Sequence, residues 1–382
     1  MIGNDLLGDV SLYIHIPFCS KKCPYCHFFV LPDKHALKEQ FLASLFQEWK
    51  LRAPLLQGKR VVSIYFGGGT PSRLTALQIS TILSYIRKDA HIASDCEITL
   101  EVNPEDASKE FFISLKEMGI NRISFGIQSL DDAQLITLDR QHSSHQGIDA
   151  LDLAYSAGIS NLSIDLMYDL PHQTLFSWER TLERVSALPI THLSLYNLTL
   201  EPHTVFFKKQ AEIKPYLPNP DLSFSLLDTA VARLSSLGLE RYEISAFAKA
   251  GCHSRHNTGY WTARSFLGLG PSAFSYWEKK RFRNMAHLNR YSESLTQGQF
   301  PVDFEEKLGF YEQQKELFAV QLRLVQGVDL IRFEQRHGPL GLDLMKSIDC
   351  LVAKEWIDRR GSWVKLTSQG QLFYDSAASE LI

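Results

Sequence analysis

A single pattern repeats through the first 240 residues of this 382-residue chain: a short run rich in β-branched or aromatic residues, then a longer helical stretch. The strand candidates fall at 12–16, 61–66, 97–102, 122–128, 162–167 and 192–198. The helical stretches lie at about 34–52, 76–88, 109–118, 131–157, 175–187 and 221–237. Gly119, Gly158 and Gly238 end three of them, where a left-handed cap suits glycine. Strand–helix alternation requires parallel strands joined by right-handed crossovers. The predicted class is therefore α/β, a partial (β/α)6 barrel of the TIM type. Periodicity alone leaves a doubly wound open sheet as the alternative.

In either arrangement, functional groups gather at the carboxyl ends of parallel strands. Three cysteines follow the first strand, and Gly67-Gly68-Gly69-Thr70-Pro71 follows the second. Glu101 and Asn103 end the third strand and Gln128 the fourth; Asp165 lies in the fifth, Tyr196 and Asn197 in the sixth. Without a shared site, such residues would scatter between both ends of the sheet. Six strands are thus expected to converge on one site.

Beyond residue 240 the rhythm changes. The stretch 241–304 is rich in Gly, Ser and aromatic residues and reads as a connecting segment. From 305 to 382 the pattern is helical and includes a small hairpin near 356–367 with Gly361 at its turn. That order suggests a small C-terminal helical, winged-helix-like domain. Ten Lys/Arg face eleven Asp/Glu across 306–382, and the whole chain carries a net charge of −3, so nothing in the charge points to nucleic acid. No secretory leader is expected, because the first ten residues hold Asp5 and Asp9 but no basic residue. No apolar run is long enough for a transmembrane helix. The expected location is cytoplasmic, where clustered thiols bind metal rather than each other.

Three of the six cysteines fall within eight residues: Cys19, Cys23 and Cys26. A structural zinc site needs four ligands, often as two distant pairs, and Cys96, Cys252 and Cys350 are isolated. Three thiolates suit a 4Fe–4S cluster with one iron left open, since such clusters are normally held by four cysteines. Lys21 and Lys22 would offset part of its charge. Zinc completed by His15 or His27 is the alternative on spacing; a redox pair at Cys23 and Cys26 would leave Cys19 unexplained.

With these cysteines come Tyr13-Ile-His-Ile-Pro-Phe-Cys19, Phe66-Gly-Gly-Gly-Thr-Pro-Ser72, Glu101-Val-Asn-Pro104, Phe125-Gly-Ile-Gln-Ser129 and Tyr242-Glu-Ile-Ser245. In these motifs the chain resembles radical S-adenosylmethionine (SAM) proteins, in the branch that contains oxygen-independent coproporphyrinogen III dehydrogenase, HemN, and the haem chaperone HemW. The resemblance runs from Leu12 into the C-terminal domain. It implies a 4Fe–4S cluster on the three cysteines and SAM on its open iron. Gly68, Gly69 and Thr70 match the element that binds the methionine end of SAM. Glu101, Gln128, Arg140 and Asp165 match further SAM contacts, and Tyr13 and Tyr25 two more positions lining the site. Taken singly, the glycines could form a plain βα turn, and either carboxylate could pair with Arg122 or Arg140.

His256-Asn257-Thr258-Gly259-Tyr260-Trp261 could be a loop with a satisfied histidine and two core aromatics. By resemblance it is the element that sets HemW proteins apart, implicated in haem binding, with His256 a candidate haem ligand. Phe28 stands where the dehydrogenase carries a further cysteine, and little room exists before residue 19 for that enzyme's N-terminal extension. The chain departs from the common HemW pattern at His27, where Asp is usual. Asp139, Asp169 and His172 replace glycines, and Ala246 replaces Asn.

The expectation is a haem chaperone that binds cluster, SAM and haem and passes haem to an acceptor protein, with an electron donor if it is redox active. Whether it is also an enzyme stays open. The alternative is radical oxidative decarboxylation of coproporphyrinogen III to protoporphyrinogen IX. A nucleic-acid-modifying radical enzyme is more distant, given the near-neutral charge.

Overall fold

The computed structural model describes residues 8–382. The leader expectation rests mainly on residues 1–7, which lie outside the described residues. Twelve strands form one sheet: β1 (Asp9–Ile16), β2 (Arg60–Gly68), β3 (Ile92–Val102), β4 (Arg122–Gln128), β5 (Asn161–Tyr168), β6 (His192–Asn197), β7 (Glu240–Glu243), β8 (Ala246–Ala248), β9 (Phe266–Leu269), β10 (Phe274–Trp277), β11 (Lys280–Asn284) and β12 (Val302–Glu306). Their order is β12-β11-β10-β9-β1-β2-β3-β4-β5-β6-β8-β7. Strands β1 to β6 pair in parallel, each with the next. This is the six-strand part-barrel that the alternation predicts. Strand β9 adds a parallel neighbour on the outer side of β1, and β10, β11 and β12 continue from it antiparallel.

The stretch expected to be a connecting segment therefore carries six strands of the main sheet. Their pairing is non-local: β9 lies about 250 residues from its partner β1 along the chain, so no window of sequence contains the signal. The helix predicted over 131–157 is two helices, Asp132–Thr137 and Ser144–Ser156. A reciprocal cap explains the second start: the Ser143 side chain takes the Gln146 N–H, and the Gln146 side chain takes the Ser143 N–H. The chain between them passes through a left-handed residue, Asp139 at φ 56°, and turns Arg140 inward.

Alternate residues of each strand divide the sheet into two faces. One face is apolar and meets the helices, with Leu12, Ile64, Leu100, Phe125, Ile164 and Leu193 all fully buried. Each such side chain contributes roughly 1.5–3 kcal/mol on burial. The other face is polar. Register sets Tyr13 beside Tyr65, Tyr65 beside Thr99, Glu101 beside Ser124, Ser124 beside Ser163 and Asp165 beside Ser194. The part-barrel thus has a polar interior rather than layers of branched aliphatics.

A second hydrophobic core spans Leu317 to Leu381. Helix Phe310–Gln321, strand Val328–Asp329, helices Leu330–His337 and Leu342–Ala353, and the hairpin Ile357–Arg360 with Trp363–Leu366 follow in order. Helices Ser368–Leu372 and Tyr374–Leu381 complete the unit, which thus has five helices around a three-stranded sheet. Arg323 ties this core to the barrel: it meets Glu243 at 3.3 Å, and its guanidinium lies 4.3 Å from the Trp261 ring. Among the described residues, no helix is long and apolar enough to cross a membrane.

Candidate functional site

The carboxyl ends of β1 to β6 open into a cavity of about 440 Å³. Cys19, Cys23 and Cys26 line it together with Tyr25, Gly68, Gly69, Thr70, Glu101, Gln128, Arg140 and Asp165. Eleven residues named from the sequence are thereby brought to one place. Tyr13 and His256 are the two that are not on this wall. Asn103, just past the end of β3, and Tyr196 and Asn197, the last two residues of β6, share the wall, as their places at the strand ends predict.

Burial pushes the Cys19 thiol up to about 11, and the Cys26 thiol is raised for the same reason. Both are protonated at neutral pH in the absence of a positive centre, so a bound metal group must release protons. Cys19 Sγ lies 3.4 Å from Thr70 Oγ1. Among the described residues, no three or more His, Cys, Asp or Glu side chains gather at single-ion spacing. Three thiols on one cavity wall are the donor set that could hold a metal group. His15, a candidate fourth zinc ligand, has both ring nitrogens engaged, with the Tyr13 hydroxyl at 3.0 Å and the Phe29 carbonyl at 3.1 Å.

Arg140 stands between the thiols and the strand ends. One Nη donates to Cys23 Sγ at 3.5 Å; the other donates to Asn103 Oδ1 at 2.9 Å and to the Gly126 carbonyl at 2.7 Å. Its buried Nε has no hydrogen-bond partner among the described residues, so the fork keeps an unused donor. Lys21, expected to offset cluster charge, lines the cavity and pairs with Asp139 at 2.7 Å. That pair is about half exposed and contributes little.

The glycine turn has a packing reason as well as a ligand-facing one. Gly68 sits at φ 111°, and a Cβ there would stand 2.5 Å from the His15 ring. A Cβ on Gly69 would stand 2.9 Å from the backbone of Pro17 and Phe18. Neither position tolerates a side chain, so the turn would need glycine even with nothing bound.

Glu101 is partly buried on the cavity wall. It accepts the Tyr65 hydroxyl at 2.7 Å and the Gly68 N–H at 3.2 Å. Burial raises its pKa to about 7, and these two donors only partly offset that. Burial raises Asp165 too, against the hydroxyls of Ser194 and Ser124. Neither carboxylate makes a direct ion pair with Arg122 or Arg140, the alternative that the sequence left open. Gln128 closes β4 in a left-handed conformation, φ 67°, at an irregularity in the pairing with β5, which aims it into the cavity.

His256 lies elsewhere. Helix Arg255–Trp261 plugs the amino-terminal end of the barrel, with the Arg255 and His256 N–H groups held by the Glu97 carboxylate at 2.9 Å. The imidazole is 1% exposed. Nδ1 meets Ser63 Oγ at 3.0 Å, Nε2 meets the Tyr260 hydroxyl at 2.7 Å, and the ring stacks on Tyr65 at 4.9 Å. Burial lowers its pKa to about 3. As placed, neither nitrogen is available to an iron, and a haem there would have to break two hydrogen bonds. Tyr13 also sits beneath the rim, 6.2 Å from Tyr65 and bonded to His15.

A second cavity, about 530 Å³, lies against the back of the cysteine loop. Tyr260 and Trp261 line it, and His27 and Phe28 line both cavities.

The family model for the radical SAM superfamily matches residues 13–185. A Bacillus subtilis protein named heme chaperone HemW is 33% identical over 368 residues, covering 95% of this chain and 96% of its own. The Escherichia coli protein of that name is 31% identical, covering 97% of both chains. Among solved structures, coproporphyrinogen III oxidase HemN from Escherichia coli, described as a radical SAM enzyme, superposes with a TM-score of 0.86 at 26% identity, over 97% of this chain and 89% of that one.

Proposed function

Because the chain belongs to the radical SAM superfamily, in the family whose members carry the HemW name, we propose that it is a haem chaperone: it holds a 4Fe–4S cluster, SAM and haem, and passes haem to an acceptor protein. The observation that carries this is kinship from end to end, over 95% or more of the chain, with proteins named for that role.

Three thiols and an adjacent guanidinium on one cavity fit the cluster. Cys19, Cys23 and Cys26 ligate it, and Arg140, 3.5 Å from Cys23, offsets its negative charge. When bound, the cluster supplies an electron and an open coordination position. Gly68, Gly69 and Thr70 let the methionine end of SAM approach the backbone. Tyr25, Gln128 and Arg140 line the same cavity and would help to hold it there. Glu101 and Asp165, raised by burial, gain most from a ligand that brings hydroxyls or a cation. Tyr13 acts from below the rim, through His15. Haem binds at the segment that includes His256, Tyr260 and Trp261, whose last two residues face the second cavity. The partners are haem, a haem-acceptor protein and, if the cluster cycles, an electron donor. Nucleic acid is not a partner, and the protein works in the cytoplasm.

The HemN superposition favours a second reading, oxidative decarboxylation of coproporphyrinogen III. Phe28 stands against it, in place of that enzyme's further cysteine. Anaerobic reconstitution with iron, sulfide and haem tests both. The chaperone reading expects a haem absorption band beside the cluster band, haem transfer to an apo haem protein, and no decarboxylation. A reconstituted protein that takes up no haem overturns it.

A further inference from the structure

The second cavity is an aromatic room. Its volume, about 530 Å³, lies within the roughly 300–1,000 Å³ of small-molecule sites. Phe28, Phe29, Tyr260, Trp261, Phe274 and Tyr276 supply rings to its walls. It is bounded by the cysteine loop, the end of the plug helix, strand β10 and the first helix of the C-terminal core. Such walls suit a flat, largely apolar ring system.

Three histidines lie near it, and only one can ligate a metal as placed. His256 is sealed beneath Tyr65 with both nitrogens bonded. His15 is 4% exposed, also with both nitrogens bonded. His27 is exposed, its ring rests on Phe28 at 4.7 Å, and neither of its nitrogens makes a hydrogen bond among the described residues. It stands on the wall common to both cavities, one residue past Cys26.

We propose that this cavity is the haem site of the chain and that His27, not His256, is the haem iron's protein ligand. The inference rests on the haem reading above and names its site. The bond is a coordinate one: a lone pair of the neutral imidazole is shared with the iron, and nothing is oxidised or reduced. Tyr260 and Trp261 then serve as walls, and the haem lies against the cysteine loop.

The test is haem titration of the full chain, cluster-loaded under anaerobic conditions and read by absorption, with the cluster band as control. His27→Ala is expected to weaken uptake roughly tenfold or more and to shift the haem band, and added imidazole to restore it. Val320→Trp, which fills the cavity from the C-terminal helix, is expected to block uptake while the cluster band persists. If wild type takes up haem and both variants match it in affinity and spectrum, the site is wrong and the haem reading stands. The site is equally wrong if His256→Ala removes the haem band and His27→Ala does not. If wild type takes up no haem, both fall together.

Discussion

Tyr65 donates its phenolic hydrogen to Glu101 at 2.7 Å, and its ring lies on His256 on the other side. One side chain thus joins the ligand-facing rim of the barrel to the plug at its base.

The Glu101 carboxyl gives stability a pH dependence. Its folded pKa of about 7 lies above the ordinary carboxylate range, so folding favours the protonated form. That contribution is fully present below about pH 4.5 and is lost as pH rises through 7. The change is on the order of 3 kcal/mol. Asp165 and Glu243 are raised in the same direction, so the wild-type slope is a sum. Denaturant melts of the cluster-free chain between pH 5 and 8 should show Glu101→Gln with a flatter profile. An unchanged slope would remove Glu101 from the account.

Cys19, Cys23 and Cys26, the proposed cluster ligands, should separate cleanly from the other cysteines. Cys19→Ala, Cys23→Ala or Cys26→Ala each leaves two ligands and should abolish the cluster absorbance and iron content. Cys350→Ser, exposed on the C-terminal domain, should leave both intact. In the metal-free chain, Cys350 should alkylate first. Cys96, 5% exposed and raised by burial to about 12, should stay inert until the protein unfolds.

Gly68→Ala should be costly before any ligand is considered. The left-handed backbone costs roughly 1–2 kcal/mol for an L-residue, and the contact with the His15 ring adds to it. A lowered melting temperature in the cluster-free chain is the expected result. A variant that melts like wild type yet loses SAM affinity would make the turn a ligand contact alone.

Arg323 should be the linchpin between the two cores. It pairs with Glu243, which is 4% exposed, and packs over Trp261 and Tyr374. Removing it leaves a buried carboxylate without its cation, a loss of about 3–5 kcal/mol where such pairs are fully enclosed. Arg323→Ala should unfold at markedly lower denaturant, and Arg323→Ala with Glu243→Gln should recover part of the loss. No recovery would mean that packing, not charge, holds the joint.

Much of this was legible from the residues. Alternation gave six strands, and their polar ends gave the cavity, because both signals are local. The triple-cysteine spacing is local too. The break at 138–143 left a local trace as well, the Ser143–Gln146 cap, hidden by helical periodicity on both sides. The plug helix left none. His256 meets Ser63 across 193 residues, and nothing near position 256 records that its imidazole is already spoken for. The glycine replacements were visible as letters only. The backbone shows that Asp139, Asp169 and His172 keep the left-handed conformation glycine would adopt, at φ 56°, 59° and 62°.

The plug helix makes the polar interior a blind shaft. Ser11, Ser63, Thr99 and Ser163 at its base are essentially inaccessible. Closed at that end, the interior keeps two ways in: the rim, where the three cysteines stand, and the flank of β1, where Tyr13 and His15 face the second cavity. A group seated on the cysteines would narrow the first and leave the second, so occupancy of the rim would redirect later arrivals rather than bar them.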